Sequence, residues 1–346
     1  MGTHPAVAHT EGDAMPASDE TSAEERLIAR HFGPLATAPG AFGLHDDAAV
    51  ITPPAGCDLV LTTDGVIAGV HFFADDPPGD VARKVLRMNL SDLAAKGAEP
   101  TGFLLSIALP PGIGEDWIAG FAQGLGEDAA HYRCPLLGGD TDRSPVSLSV
   151  SVTAFGAVPH GRMVRRSTAK AGELIVVTGT IGDSALGVRL RRDAGLAKAW
   201  RLADRARDYL LGRYLLPQPR NALAGAVLEY AAAAMDVSDG LAGDLAKLCR
   251  ASGVAAEIDV ARVPLSAGAR TALAADPGAL ETILTGGDDY EVLLTLPPDR
   301  LAGFAAAAEK AGVGATEIGR VASGQGARFM HDGRALTFAR PAYSHF

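Results

Sequence analysis

The sequence is poor in cysteine. Its 346 residues include only Cys57, Cys134 and Cys249, which lie far apart and form no C-x-x-C pair. A disulfide framework or a zinc site needs several cysteines at close spacing, so neither is expected. Chains without such a framework are typical of reducing compartments. The cysteine content therefore predicts a cytoplasmic protein.

The sequence also has no long apolar run. No segment approaches the ~20 consecutive apolar residues that cross a bilayer, and no Lys or Arg stands before Arg26. A secretory signal needs a basic start and an apolar core, so we expect neither a signal nor a membrane anchor. Residues 1–20 are small, polar and aperiodic, which predicts a disordered N-terminal extension.

Basic residues are outnumbered by acidic ones. There are 31 Lys and Arg against 41 Asp and Glu, so the formal net charge is −10. Proteins that bind nucleic acid through charge need a basic surface, and we expect no nucleic-acid partner. An acidic chain can still bind phosphates through metal ions, because a cation bridges carboxylate and phosphate oxygens.

The common nucleotide-binding loops are missing as well. The chain contains neither G-x-x-x-x-G-K-[ST] nor G-x-G-x-x-G, which excludes a Walker-type loop and a dinucleotide fingerprint. A nucleotide site in this chain must therefore be built from other residues.

Strand-like and helix-like segments alternate along both halves of the chain, which predicts an α/β or α+β fold. Thr21 with Glu24 and Ser22 with Glu25 each fit a capping box at the start of the first helix. Apolar spacing predicts further helices at residues 80–97, 115–132, 183–192, 203–215, 220–233, 239–251 and 299–311. Short apolar runs predict strands at residues 47–52, 58–63, 101–109, 146–155, 173–178, 254–260 and 290–296, and a strand that ends at Asp236.

The length of the chain predicts two domains. A basic, loop-like stretch at residues 159–172 separates the two halves, and we place the boundary there. The predicted domains are residues 21–160 and 161–346.

Six aspartate motifs stand beside short apolar or glycine-rich segments. In chain order they are His45-Asp46-Asp47, Thr62-Thr63-Asp64-Gly65, Asn89-Leu90-Ser91-Asp92, Gly138-Gly139-Asp140, Asp236-Val237-Ser238-Asp239-Gly240 and Gly286-Gly287-Asp288-Asp289. Carboxylates at strand ends are typical of Mg²⁺ sites, because this ion prefers hard oxygen ligands. The small residues beside them leave room for phosphate oxygens.

Each motif alone fits a structural role at least as well. Asp before Gly is common in turns, and Ser238 or Asp239 can cap the helix that follows. Asp92 is harder to explain in this way, since it stands in a helix-like stretch beside Asn89 and Ser91, and all three are poor helix formers. The set of motifs, rather than any one of them, indicates a metal-dependent phosphate site.

In their order along the chain and in their residues, these motifs resemble those of the thiamine-monophosphate kinase family. This family belongs to the superfamily that includes aminoimidazole ribonucleotide synthetase. The resemblance rests on DDAAV, TTDGVIAGVHF, MNLSDLAAKGAEP, LLGGDT, VTGTIGDSALG, MDVSDGLAGDL, LTGGDDYEVLLT and the final YSHF. It implies a PurM-like two-domain fold, in which the N-terminal domain contributes strands to a β-barrel shared by two subunits. The C-terminal domain is then α/β, and the protein is a homodimer.

The resemblance further implies that ATP and thiamine monophosphate react, with several Mg²⁺ ions, to give ADP and thiamine diphosphate. The implied metal ligands are Asp47, Thr62, Thr63, Asp64, Asp92, Asp140, Asp236 and Asp239. The implied ATP contacts are Gly139, Asp140, Arg166 and Ser238. The implied contacts to thiamine monophosphate are His71, Asp288 and Tyr343. Asp92, Asp140 and Asp236 are the predicted catalytic residues.

The chain departs from the family pattern at two positions, with His45 where the family usually has Gly and Asp288 where it often has Glu. The reaction that the resemblance implies needs no general base, because the acceptor phosphate is already an anion at neutral pH. We therefore expect direct transfer without a phosphoenzyme.

Two other functions remain open from the sequence. Aminoimidazole ribonucleotide synthetase shares the ATP site of this superfamily. A catalytically silent nucleotide-binding module is the second alternative, although its unneeded metal ligands would bring only charge repulsion.

Overall fold

Residues 22–339 and 342 are described by the structure, a computed structural model. Two predictions, the disordered extension at residues 1–20 and the substrate contact Tyr343, lie outside these residues. The described part of the chain forms two domains, each with its own β-sheet. No helix among the described residues has the length and apolar character needed to span a bilayer.

The N-terminal domain contains a four-stranded sheet with helices on one face. Its elements are α1 (Ala23–Leu27), β1 (Cys57–Ile67), α2 (Pro78–Ala95), β2 (Glu99–Leu109), α3 (Glu115–His131), β3 (Leu136–Arg143) and β4 (Ser149–Pro159). The strand order is β1-β4-β2-β3, with β2 and β3 parallel and the other pairs antiparallel. Of the two predicted capping boxes, the one at Ser22 and Glu25 is confirmed, because these residues cap α1 reciprocally. Thr21 lies outside the described residues.

Helix α2 is long and largely buried. It begins at Pro78, at the position in a helix where proline's missing N–H costs nothing. Val85, Leu86 and Leu93 are fully buried on it, as the apolar spacing predicts. The chain leaves the helix at Gly97, whose φ of 71° is the left-handed conformation that favours glycine.

The C-terminal domain contains a seven-stranded sheet. Its strands are β5 (Leu174–Thr178), β6 (Ala233–Asp236), β7 (Ala255–Asp259), β8 (Val292–Leu296), β9 (Ala315–Ala322), β10 (Gly326–His331) and β11 (Arg334–Ala335). The strand order is β11-β10-β7-β9-β5-β8-β6. Its helices are α4 (Asp183–Arg192), α5 (Gly195–Ala199), α6 (Asp204–Leu215), α7 (Ala224–Tyr230), α8 (Leu241–Ser252), α9 (Ala267–Ala275), α10 (Ala279–Thr285) and α11 (Leu301–Lys310).

Apolar cores lie on both faces of this second sheet. In β5, Ile175 and Val177 belong to one core, whereas Leu174 and Val176 belong to the other. A strand that is covered on both faces has no solvent-exposed side for polar residues, which explains the uninterrupted apolar run of β5.

Helix α2 also joins the two domains. Arg87 pairs with Asp128 on α3, and its guanidinium also donates to the Pro217 carbonyl of the C-terminal domain at 3.1 Å. Further along α2, the Asn221 amide donates to the Leu90 carbonyl at 3.1 Å. One face of α2 therefore serves the N-terminal sheet and the other faces the second domain.

The predicted strand at residues 47–52 is wrong. This segment is irregular. The Val50 N–H donates at 2.8 Å to the carbonyl of Gly40, which lies in a short helical turn and not in a strand. Its apolar residues have no strand partner, so local pattern alone does not make a strand there. Strand β3 and helices α5, α9 and α10 were not predicted, because glycines and short lengths obscure their periodicity.

Candidate active site

The first part of the site lies where strand β1 meets helix α2. Thr62 and Asp64 share the face of β1 that α2 covers, because alternate strand residues point to the same side. Thr62 Oγ1 donates to Asp92 Oδ2 at 2.5 Å, and Asn89 Oδ1 accepts the Asp64 N–H at 3.0 Å. Asn89 and Asp92 are three residues apart and so share one face of α2. The poor helix formers of this motif thus face strand β1.

The C-terminal domain adds Asp236, the last residue of β6. Its side chain is buried, and its Oδ2 accepts a hydrogen bond from Ser91 Oγ at 2.8 Å. Ser91 precedes Asp92 on α2. A carboxylate from each domain is therefore held around the same turn of that helix.

Two loops of the C-terminal domain are joined backbone to backbone beside Asp236. The Asp288 N–H donates to the Ser238 carbonyl, and the Tyr290 N–H donates to the Val237 carbonyl, both at 2.8 Å. A Cβ atom on Gly287 would lie 2.3 Å from the Ser238 oxygen, so only glycine permits this approach. The close pairing places the motif after β6 and the motif before β8 at one edge of the sheet.

The carboxylates of the site repel one another. Burial raises the pKa of Asp64 to about 6, and the neighbouring charges of Asp92 and Asp239 add to the effect. Burial, followed by the charge of Asp92, raises the pKa of Asp236 well above its usual value. Burial lowers the pKa of Lys96, against the opposing effect of the nearby Asp236. These shifts indicate that the acidic groups lie in one electrostatic field.

This donor set fits a divalent cation. The groups are carboxylate and hydroxyl oxygens, which are the hard ligands that Mg²⁺ prefers. Burial and then the charges of Asp92 and Asp239 raise the pKa of Asp64, and a bound cation would stabilise these charged groups. Within residues 22–339, no three His, Cys, Asp or Glu side chains are already arranged to hold a metal ion. The fit therefore rests on the chemistry and proximity of these oxygens.

Two cavities meet at the acidic group. The first has a volume of about 530 Å³, and its lining includes His71, Asp239 and Asp288. The second has a volume of about 440 Å³, and its lining includes Asp92, Arg166 and Asp236. Asp64 and Ser238 line both cavities. The arrangement can accommodate two ligands, one in each cavity, whose ends meet beside Asp64 and Ser238.

The predicted substrate contacts His71 and Asp288 face the same cavity from different domains. His71 Nδ1 accepts the Ile67 N–H at 3.0 Å, so the proton of the neutral ring is carried by Nε2. Asp288 Oδ2 pairs with Lys84 Nζ at 3.0 Å. The first cavity thus has a histidine and a carboxylate among its lining residues.

The second cavity has a basic rim. Arg166 is exposed there, beside Arg165. Lys247 of α8 also lines it and pairs with Asp239 and, at 2.8 Å, with Asp244. Ionised oxygens of a polyphosphate would find cationic partners along this rim.

Some predicted residues do not join this group in a single chain. Asp47, Gly139 and Asp140 line a third cavity, of about 760 Å³, together with residues of the exposed face of the N-terminal sheet. The register runs from Asp64 across two intervening strands to Gly139. Three strand spacings amount to roughly 14 Å. Asp140 is therefore separated from Asp64 within one chain, and Asp47 lines the same third cavity as Asp140.

Thr63 and Gly139 have structural roles in this sheet. Thr63 points away from Thr62, and its Oγ1 donates to the Val152 carbonyl and accepts from Thr153 Oγ1, both at 3.1 Å. A Cβ on Gly139 would lie 1.8 Å from the Leu105 oxygen. The glycine is therefore needed for the close approach of β2 and β3.

Sequence reasoning missed several residues that complete the site. Asn89 and Ser91 stand in the predicted motif, and their poor helix propensity was the signal that could have assigned them contacts. Lys84, Lys96 and Tyr214 carry no such signal, because their partners are distant in sequence.

The chain matches two protein-family descriptions. The AIR synthase related protein N-terminal domain matches residues 45–158, and the AIR synthase related protein C-terminal domain matches residues 170–332. The thiamine-monophosphate kinase of Caulobacter vibrioides is 41% identical over 339 residues, which cover 97% of this chain and 94% of that protein.

Solved structures give the same result. The crystal structure of thiamine-monophosphate kinase from Stenotrophomonas maltophilia aligns with a TM-score of 0.79 and 39% identity, over 90% of this chain and 96% of the other. The structure of AaThiL complexed with AMPPCP and TMP aligns with a TM-score of 0.75 and 31% identity, over 89% and 97% of the two chains. From these matches along nearly its whole length, the chain belongs to the thiamine-monophosphate kinase family, whose two halves are AIR synthase related domains.

Proposed function

We propose that this protein transfers the γ-phosphoryl group of ATP to thiamine monophosphate, giving ADP and thiamine diphosphate. The observation that carries the proposal is the pair of cavities that share Asp64 and Ser238 at their junction. A reaction between two phosphorylated substrates needs such a meeting point. The relative that was solved with AMPPCP and TMP supports the same pair of ligands.

The chemistry of each cavity supports one substrate. The first combines the rings of Phe72 and Phe73 with the carboxylate of Asp288, which suits a flat, positively charged heterocycle. We assign it to thiamine monophosphate, with His71 Nε2 as a donor to its phosphate. The second cavity has the Arg166 rim, and we assign it to ATP, with Ser238 at the junction.

We further propose that Mg²⁺ is held by Asp64, Asp92 and Asp236, with Thr62 and Asp239 beside them. When bound, the ions supply the positive charge that offsets repulsion between the phosphates of the two substrates. A single pair of unit like charges 4 Å apart costs about 4 kcal/mol at an effective dielectric constant of ~20, so bound cations would offset a substantial repulsion between the substrates.

The protein's own groups bind and orient the reactants. No residue is required to remove a proton, because the acceptor oxygen is already ionised. Asp92 is held by the Thr62 hydroxyl and Asp236 by the Ser91 hydroxyl, which limits the movement of both carboxylates. We propose direct in-line transfer, which predicts inversion at a chiral γ-phosphorus. Retention would contradict it and indicate a phosphoenzyme.

We propose a homodimer formed through the face of the N-terminal sheet that the described helices α2 and α3 leave uncovered. Leu61 and Ile67 of the edge strand β1 are 60% and 42% exposed, and Leu59 and Phe155 line the cavity on the same face. A second copy that covers this face would remove that apolar surface from water. It also offers a route by which Asp47 and Asp140 take part in a site that one chain leaves without them.

Two further assignments complete the proposal. We place the domain boundary near residue 160, because β4 ends at Pro159 and β5 begins at Leu174. We place the protein in the cytoplasm, in keeping with three cysteines that form no disulfide among the described residues.

The test is a direct assay with the purified protein. It is incubated with ATP, Mg²⁺ and thiamine monophosphate, and thiamine diphosphate and ADP are followed by chromatography. A parallel reaction with formylglycinamidine ribonucleotide tests the aminoimidazole ribonucleotide synthetase alternative. Turnover of thiamine monophosphate alone is expected. Turnover of the ribonucleotide, or nucleotide binding with no turnover in either reaction, would overturn the proposal.

A further inference from the structure

Lys84 is a buried lysine that connects the two domains. It lies on α2 of the N-terminal domain, and its side chain is 3% exposed. Its Nζ donates to Asp288 Oδ2 at 3.0 Å and to the His71 carbonyl at 3.1 Å. It also lies 4.3 Å from the centroid of the Tyr214 ring. A buried ammonium group persists only with such partners, because burial removes its hydration.

The hydrogen-bond partners of Lys84 line the first cavity from different domains. His71 lies in the loop that follows β1, and Asp288 lies in the loop that precedes β8. Lys84 stands behind these walls, since almost none of its side chain is exposed. Its ammonium group therefore links a wall from the N-terminal domain to a wall from the C-terminal domain.

Asp288 is held through both of its carboxylate oxygens. Its φ is 70° and that of Tyr290 is 51°, which is the left-handed region that side chains other than glycine rarely adopt. Such a conformation persists when its surroundings constrain it. The Tyr290 hydroxyl donates to Asp288 Oδ1 at 3.3 Å, and Lys84 holds the other oxygen.

The backbone of this loop is anchored independently of Lys84. Arg213 donates to the Asp289 carbonyl at 2.7 Å and pairs with Glu291 at 3.0 Å. The Asp289 carboxylate accepts the Gly182 N–H at 2.7 Å. Loss of Lys84 should therefore release the Asp288 side chain and the His71 loop while the loop backbone keeps its place.

We propose that Lys84 is a positioning residue for the acceptor substrate, orienting the Asp288 carboxylate and the His71 loop toward thiamine monophosphate. The proposal rests on the function proposed above. Lys84 acts through these two walls and does not touch either substrate. Its effect is confined to the first cavity, because its partners line that cavity and not the one assigned to ATP.

The test compares Lys84→Met with the wild type in steady-state kinetics and in binding of thiamine monophosphate by calorimetry. The variant is expected to raise KM and Kd for thiamine monophosphate by about tenfold or more, the usual effect of losing a charged hydrogen bond. KM for ATP should stay within about twofold, as should kcat. Arg83→Met is the matched control, since Arg83 pairs with Asp80 and Glu127 instead. This variant should leave KM and Kd for thiamine monophosphate unchanged.

A double-mutant cycle separates positioning from a general structural effect. Asp288→Ala alone should raise KM for thiamine monophosphate. Adding Lys84→Met to it should raise KM by a smaller factor than Lys84→Met does in the wild type, because the contact to Asp288 is already lost and only the contact to the His71 carbonyl remains. If Lys84→Met does not fold, Lys84→Arg and Lys84→Gln provide the same comparison, with Arg expected to retain more affinity than Gln.

The outcomes distinguish the two proposals. Wild-type turnover with an unchanged KM for thiamine monophosphate in the Lys84 variants would overturn the role of Lys84 alone. The role of Lys84 would also be overturned if its variants raised KM for ATP, or lowered kcat, by as large a factor as they raise KM for thiamine monophosphate. Fully additive effects in the double-mutant cycle would overturn it as well. A wild type that neither binds nor phosphorylates thiamine monophosphate would overturn the proposed function and, with it, this inference.

Discussion

At the scale of single residues, the site differs from the rest of the fold in its closely spaced carboxylates, which are those of Asp64, Asp92 and Asp236. Burial and mutual repulsion raise the pKa of Asp64 and of Asp236, so in the absence of a cation these groups oppose folding. Each is nonetheless held by hydrogen bonds to the side chain or backbone around it. Such an unfavourable but organised group indicates a site built for a positively charged ligand.

Replacing Asp92 tests the centre of this group. Asp92→Asn is expected to lower kcat by about 10²- to 10³-fold, because it removes a charge from the group assigned to Mg²⁺, while circular dichroism and the unfolding midpoint stay close to those of the wild type. Asp116→Asn, an exposed residue of α3, is the control. Near-normal turnover in the folded Asp92 variant would remove Asp92 from the proposed role.

Asp64 should make the metal-free protein sensitive to pH. Its folded pKa of about 6 lies above the ordinary value of 3.8, so the folded state binds this proton more tightly than the unfolded state. Its contribution to stability is therefore greatest below the unfolded value and is lost as the pH rises through about 6.

Asp64→Asn should remove this penalty. In EDTA at about pH 7.5, the variant is expected to be more stable than the wild type by on the order of 1–3 kcal/mol in urea unfolding. At about pH 4 the difference should largely disappear. A wild type that is as stable as the variant at the higher pH would show that the acidic group carries no such cost.

At the scale of elements, helix α2 and the two paired loops position the site. Helix α2 supplies Asn89, Ser91 and Asp92 along its last turns, and Lys84 nearer its start. The loops after β6 and before β8 are joined to each other by backbone hydrogen bonds. Because β6 and β8 are antiparallel neighbours, the end of one and the beginning of the other lie at the same sheet edge.

The pairing of these loops depends on Gly287. Gly287→Ala is expected to destabilise the protein by about 1–3 kcal/mol and to raise KM for both substrates, because the new Cβ would meet the Ser238 carbonyl. Gly212→Ala in helix α6 is the control, since no atom lies within 4 Å of a Cβ placed there; it should be neutral or slightly stabilising. An unfolding midpoint for Gly287→Ala equal to that of this control would contradict the structural requirement.

At the scale of the whole molecule, one face of the N-terminal sheet is not covered by a helix within residues 22–339. The same face carries exposed apolar residues and the third cavity with Asp47 and Asp140. The proposed dimer accounts for both observations.

Leu61→Glu tests the proposed dimer. A charge at this 60%-exposed position of β1 should convert dimers to monomers, as measured by light scattering after size exclusion, and should lower activity by at least about tenfold if Asp140 acts across the interface. Ala306→Glu, on the exposed surface of α11, is the control with the same change of charge. A wild type that is monomeric at assay concentration would overturn the dimer.

Much of the architecture could be anticipated from local pattern. The helix predicted at residues 80–97 is confirmed as α2, and the strand predicted at 173–178 is confirmed as β5. The apolar residues of the first recur at helical intervals, and those of the second form a short continuous run that is typical of a buried strand. The mixed α/β class with two domains follows from the alternation of such segments and is confirmed. The resemblance to the thiamine-monophosphate kinase family is confirmed by the relatives.

The segment at residues 47–52 and strand β3 show where local pattern stops. The first looked like a strand but has no strand to pair with, and the second contains Gly138 and Gly139, which hide its strand character. Strand formation depends on partners elsewhere in the chain, which periodicity does not encode.

Residue order alone was enough to pick out the acidic motifs and to predict the chemistry they favour, because carboxylate and hydroxyl oxygens are the hard ligands that suit Mg²⁺. It was not enough to say which of them meet. Sheet register separates Asp140 from Asp64, and the docking of the two domains brings Lys84 to Asp288 across 204 positions. These relations arise from packing between distant segments, and so they become visible once the chain has folded.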